Sequence, residues 1–160
     1  MRVHVQPGDF DPGAELSAFG RRAGVGAVVS FTGIVRDNGT GTLEAMEIEH
    51  YPAMTESAIR RIAEAAQARW ALADLLVIHR FGRLAPGARI MMVATASAHR
   101  AAAFAAAEYL MDYLKSRAPF WKKEITAQGG EWVAARNEDE AALARWRDGA
   151  GKAPGPGSGI

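Results

Sequence analysis

The feature that most constrains this chain is a change of apolar period along its length. Between residues 52 and 70, Ala58, Ile59, Ile62, Ala65, Ala66 and Trp70 recur at the spacing of one helix face. A second stripe, Ala103, Phe104, Ala107, Leu110, Met111 and Leu114, runs up to Pro119, and proline disfavours helix at the residue before it. Around these stripes the apolar runs are short or alternate. Residues 1–6, 25–35, 43–50, 75–81 and 89–96 read as strands. Residues 120–127 and 131–135 flank Gln128-Gly129-Gly130 and read as a hairpin. Shorter helices are expected over 14–22 and 137–147, the latter capped by Asn137, and Ser97 is the expected cap of the second long helix. Strands and helices in this mixed order, with hairpins, point to an α+β domain rather than an alternating parallel sheet.

Composition narrows the chemistry. A chain of 160 residues with 49% apolar types can bury a core and is not a disordered protein. Alanine accounts for 33 of those residues, so the bulky part of the core rests on few side chains. Cysteine is absent, which excludes disulfides, cysteine-bound zinc, iron–sulfur centres and a catalytic thiol. A net charge of +1 argues against extended nucleic-acid contact, so an anion site must be a local cluster. No run of about 18 apolar residues is present, and residues 1–4 lack the apolar core of a signal peptide, so a cytoplasmic protein is expected. One domain is expected over 1–148, followed by a flexible Gly/Pro-rich tail over 149–160.

Three segments carry chemistry. Ser97-Ala98-His99-Arg100 sits at a strand-to-helix junction, where unpaired N–H groups and the helix dipole make a cation unfavourable unless an anion binds there. Lys115-Ser116-Arg117-Ala118-Pro119-Phe120-Trp121-Lys122-Lys123 places four cations within nine residues, with no acid among them. In a strand, Lys122 and Lys123 point to opposite faces, so only one of them can join Lys115 in a pocket. A lysine crowded by cations or burial has a lowered pKa and can serve as acid, base or acyl acceptor. Phe31-Thr32-Gly33-Ile34-Val35-Arg36 ends a strand on an arginine that opens a loop, a common place to meet an anion. Taken singly, each has an ordinary structural explanation. His50-Tyr51-Pro52 and His79-Arg80-Phe81-Gly82 are further candidates without an assigned role. The four histidines are scattered and show no metal-ligand spacing, and neither a P-loop nor a dinucleotide fingerprint is present.

Together these segments carry a resemblance. Phe31-Thr32-Gly33-x-Val35-Arg36, Glu49-His50-Tyr51-Pro52-x-Met54, Ile78-His79-Arg80-x-Gly82, Ser97-Ala98-His99-Arg100 and Met111-Asp112-Tyr113-Leu114-Lys115-x-Arg117-Ala118-Pro119-Phe120-Trp121-Lys122 resemble, in order, the large catalytic subunits of molybdopterin synthases. The resemblance implies an α/β hammerhead-type fold with an additional antiparallel β subdomain. It implies a homodimer within a heterotetramer, with a small ubiquitin-like subunit at each end whose C-terminus carries a thiocarboxylate. The implied reaction converts cyclic pyranopterin monophosphate to molybdopterin by sulfur transfer, with no cofactor and no metal. The family's two essential lysines fall on Lys115 and Lys122. Its substrate contacts fall on Ile34, Val35 and Arg36, on His99 and Arg100, and on Lys123 and Glu124. Some members carry lysine where this chain has Ile34. Two other readings use the same basic cluster: a non-catalytic anion- or nucleotide-binding module, and an inactive scaffold for the small subunit. A sulfur-inserting chain without cysteine cannot carry a persulfide, so under the resemblance its sulfur must arrive on a partner.

Overall fold

The two long apolar stripes fold as helices that share one core. The computed structural model describes residues 1–37, 39–134 and 137–147. Its elements run β1 (Arg2–Gln6), α1 (Pro12–Ala18), β2 (Ala27–Ile34), β3 (Ala45–His50), α2 (Pro52–Trp70), β4 (Asp74–Arg80), β5 (Gly82–Leu84), β6 (Arg89–Ser97), α3 (Arg100–Arg117), β7 (Phe120–Thr126), β8 (Gly129–Trp132) and α4 (Asn137–Arg147). The first sheet has the order β1-β4-β6-β2; β1 joins β4 in parallel and the other pairs are antiparallel. The second sheet, β5-β3-β7-β8, is antiparallel throughout. This is the expected α+β fold with a second, antiparallel part.

Alternation along β4 and β6 divides the core. Leu75, Val77 and Val93 meet Ile59, Ala66 and Trp70 of α2 and Ala106, Leu110 and Leu114 of α3. On the other face, Leu76, Ile78, Met92 and Ala94 pack with Phe10 and Phe19. A third cluster, Val35, Leu43, Ile48 and Leu84, joins the end of β2 to the second sheet. No helix among the described residues is long and apolar enough to cross a membrane.

The helices are rotated slightly from the expected faces. α2 buries Thr55 and Ala63 where Ala58 and Ala65 were expected. α3 buries Ala102, Ala106 and Tyr109, while Phe104 is 62% exposed. Alanine is the reason: a helix with small residues on every side has no strong preference among its faces, and the sheet, α2 and α4 choose one. Helix α1 begins earlier than expected because Asp11 caps it, its carboxylate accepting from the N–H groups of Gly13 (2.8 Å) and Ala14 (3.2 Å). It stops at Ala18, which frees Phe19 for the core. The N-cap of α3 is His99 rather than Ser97, which is still the last residue of β6. Gly26 lies so close to the Ala98 carbonyl that a Cβ there would collide with it, so the approach to β2 requires glycine. The expected tail over 149–160 lies outside the described residues.

Candidate active site

Pro119 ends α3, and the chain turns directly into β7, with the Phe120 N–H donating to the Ala118 carbonyl (2.8 Å). The fully buried hydroxyl of Thr55 ties this junction to the start of α2. It accepts from the Tyr51 N–H (3.2 Å) and donates to the Pro119 carbonyl (3.2 Å). β7 lies between β3 and β8, and alternation puts Phe120, Lys122 and Glu124 on one face and Trp121 and Lys123 on the other. Lys123 lies over the Trp132 ring at 5.3 Å, and Trp121 meets Tyr51 edge-on at 5.5 Å. Lys122, partly buried, faces the charges of Lys115 in the last turn of α3 and Asp139 on α4. Burial, and then the Lys115 charge, hold its ammonium below the ordinary lysine value; Asp139 acts in the opposite direction. Lys115 itself is exposed. Glu124 is half-buried opposite Met46 of β3.

Two imidazoles back this face. His79, near the end of β4, is 3% exposed and stacks on Phe120, with centroids 3.7 Å apart and planes at 15°. Its Nδ1 donates to the Arg80 carbonyl (2.8 Å). Burial lowers its pKa to about 3, helped by the charge of Lys122 and by His50, so the ring is neutral at ordinary pH. His50 sits opposite Phe120 in the β3–β7 ladder, 4.3 Å from Phe81 and 6.0 Å from Phe120. Its Nδ1 is buried without a hydrogen-bond partner among the described residues. Both histidines stand out in the sequence, but as isolated candidates. The available signal for His79 was a titratable residue at the end of an apolar strand.

The end of β2 reaches the same region. Val35 is 1% exposed and packs with Ile48, whose ladder partner is Lys122. Its N–H donates to the Ala88 carbonyl (2.8 Å), and its own carbonyl accepts from the Gly87 N–H (2.8 Å). Val35 therefore anchors the strand end and offers neither side chain nor N–H to a ligand. Arg36, the next residue, is exposed at this end. Ile34 is 55% exposed and pairs with Arg89. Arg89 does not replace the cation absent at Ile34, because it is engaged with Asp9 (Nε to Oδ1, 3.0 Å).

His99 and Arg100 are elsewhere. Arg100 and Lys115 are 15 residues apart on one straight helical span, about 22 Å at a rise of about 1.5 Å per residue. The ladder agrees: Ala27, at the start of β2, pairs with Ser97, whereas Ile34 at its end pairs with Arg89. One chain therefore gathers Lys115, Lys122, Glu124 and Arg36 at one end of the sheet and leaves His99 and Arg100 at the other. Within one chain, Arg36 and the pair His99–Arg100 thus stand at opposite ends of the first sheet. Lys123 also lies away from Lys115, across the strand.

The gathered end has a partly desolvated ammonium, Lys122, in the field of the exposed Lys115 and of the Asp139 carboxylate. Lowering the Lys122 value makes its ammonium a better proton donor, and the paired positive charge can stabilise an oxyanion or phosphate. Among the described residues, no three His, Asp or Glu side chains converge as a metal site would require.

The family described as MoaE protein matches residues 5–117. The molybdopterin synthase catalytic subunit of Cereibacter sphaeroides is 68% identical over 147 residues, covering 91% of this chain and all of that one. The molybdopterin biosynthesis MoaE protein of Burkholderia ambifaria superposes with a TM-score of 0.78 at 50% identity, over 91% of this chain and 97% of that one. A chain of the molybdopterin synthase crystal structure from Staphylococcus aureus superposes with a TM-score of 0.75 at 30% identity, over 82% of this chain and 96% of that one. With its motifs, its two-sheet fold and a match across most of its length, this chain belongs to the MoaE protein family.

Proposed function

We propose that this chain is the catalytic subunit of a molybdopterin synthase, a cytoplasmic sulfurtransferase of molybdenum cofactor biosynthesis. It converts cyclic pyranopterin monophosphate to molybdopterin with sulfur delivered on the thiocarboxylated C-terminus of a small ubiquitin-like subunit. The observation that carries this reading is Lys122, desolvated on β7 and facing the charge of Lys115 at the α3–β7 junction. Lys115, exposed, meets the partner's terminus as proton donor or transient acyl acceptor. Lys122, with its lowered pKa, assists by proton transfer or charge stabilisation, and Arg36 holds phosphate at the adjoining strand end.

The separation of His99 and Arg100 from the lysines supports a homodimer at the centre of a heterotetramer. If these residues bind substrate, a second copy has to bring them to the lysine pair. The open edge of the first sheet has a suitable surface: Val28, Phe31 and Ile34 of β2 are 45%, 42% and 55% exposed, and Phe104 stands out from α3 nearby.

The test is reconstitution. The chain, mixed with thiocarboxylated small subunit and the pterin precursor, forms the dithiolene, and Lys115→Ala abolishes its formation. No product from the unaltered chain, or near-normal turnover by Lys115→Ala, overturns the reading. An anion-binding module or an inactive scaffold would give no product in either case.

A further inference from the structure

The lysine pair does not account for the buried imidazole behind it. His79 is almost fully enclosed, and among the described residues its ring hydrogen-bonds to the carbonyl of its own chain neighbour, Arg80. That bond places the proton on Nδ1 and fixes the plane of the ring. The plane it fixes is the one that stacks on Phe120 at 3.7 Å. Phe120 is the first residue of β7 and lies two residues before Lys122, so the two side chains leave the strand on the same face. His50, the ladder partner of Phe120, flanks the same ring from β3. Phe120 is thus seated from two strands, and Lys122 is the next side chain along that face.

We propose that His79 is a positioning residue for Lys122: its stacked ring seats Phe120, and thereby sets how deeply β7 holds the Lys122 side chain against the core. The proposal rests on the reading of Lys122 as part of the reaction and adds to it the device that keeps that lysine desolvated. A neutral ring suits the place, since an imidazolium would put another buried cation beside Lys122. The titratable groups that face Lys122 are Lys115 from α3, Asp139 from α4 and His79 from β4, with His50 of β3 acting on His79. Of these, only His79 lies in stacking contact with the residue that begins the lysine's own strand.

The test reads the lysine directly. The titration of the Lys122 ammonium is followed by NMR in the folded full-length chain, together with kcat and KM in the reconstituted synthase. His79→Gln keeps a donor for Arg80 but removes the ring. Lys122 then titrates closer to an ordinary lysine, its neutral fraction near pH 8 falls, and kcat falls with it while KM for the precursor holds. His79→Phe restores a ring against Phe120 and keeps the low titration, although the unpaired Arg80 carbonyl lowers its melting temperature; a merely structural role would not separate the two readouts. Phe120→Leu removes the other half of the stack and shifts Lys122 as His79→Gln does, which keeps the test decisive if either His79 variant folds poorly. Wild-type titration of Lys122 in folded His79→Gln or folded Phe120→Leu overturns the proposal. A shift of Lys122 with unchanged turnover upholds the positioning role and instead overturns the catalytic reading of Lys122.

Discussion

Thr55→Val isolates the tie between α2 and the α3–β7 junction. The substitution preserves shape and removes a hydroxyl that is 0% exposed. Two hydrogen bonds disappear, from the Tyr51 N–H and to the Pro119 carbonyl, each 3.2 Å long. At about 1 kcal/mol net for each bond, the loss is about 2 kcal/mol. For a domain of this size that corresponds to a melting temperature lower by about 4–8 °C. Thr55→Ser is the control, because it keeps both bonds and gives up one buried methyl, worth about 1 kcal/mol. The assay is thermal and urea unfolding of the three proteins at one protein concentration, since any self-association would make the melting temperature depend on it. The expected order of stability is wild type, then Ser, then Val. If Val matches wild type or exceeds Ser, the hydroxyl does not hold the junction and the reasoning is wrong.

Trp146→Ala removes an indole packed edge-on against Trp70 (5.7 Å) and Tyr109 (5.4 Å), whose N–H donates to Asp112 (2.7 Å). It should cost about 3–5 kcal/mol in urea unfolding, and a loss below about 1 kcal/mol would show that α4 is not anchored there. Lys122→Ala should depress dithiolene formation far more than Lys123→Ala, because Lys123 lies over Trp132 on the opposite face; equal losses in the reconstituted assay would contradict the strand alternation. His79, with a folded pKa of about 3 against an ordinary 6.5, binds fewer protons folded than unfolded between those values. Stability therefore rises with pH across that window: the contribution is complete above about 6.5 and lost as pH falls toward 3. Urea melts from pH 4 to 7 should show close to one proton of this linkage, and His79→Phe should remove it; an identical slope in both proteins would refute the assignment.

Lys122 shows how far the sequence could be read and where the reading stopped. Its opposition to Lys123 followed from strand alternation, a local rule that tertiary context could not change once β7 formed. Its desolvation did not follow, because that depends on what other elements bring to it: Ile48 pairs with it from β3, and Lys115 and Asp139 act on it from α3 and α4. The distance between Arg100 and Lys115 was available in principle, since residues 100–117 in one helix already place them about 22 Å apart. Strand β5 escaped because three residues carry no period, and the outward Phe104 was missed because alanine neighbours leave a helix face undecided.

The sequence by itself determined the order of the elements other than β5, the two long helices, the break at Pro119 and the family, because apolar period, proline chemistry and long motifs are properties of contiguous residues. Its lack of cysteine also ruled out a thiol or persulfide of its own. The tertiary structure alone decided which helix faces are buried, that Val35 belongs to the core, and that Lys122 is partly buried facing Lys115 and Asp139 while His99 and Arg100 lie at the far end. Each of those outcomes depends on pairing between residues distant in the chain, where strand register and packing against a particular neighbour set exposure and charge environment.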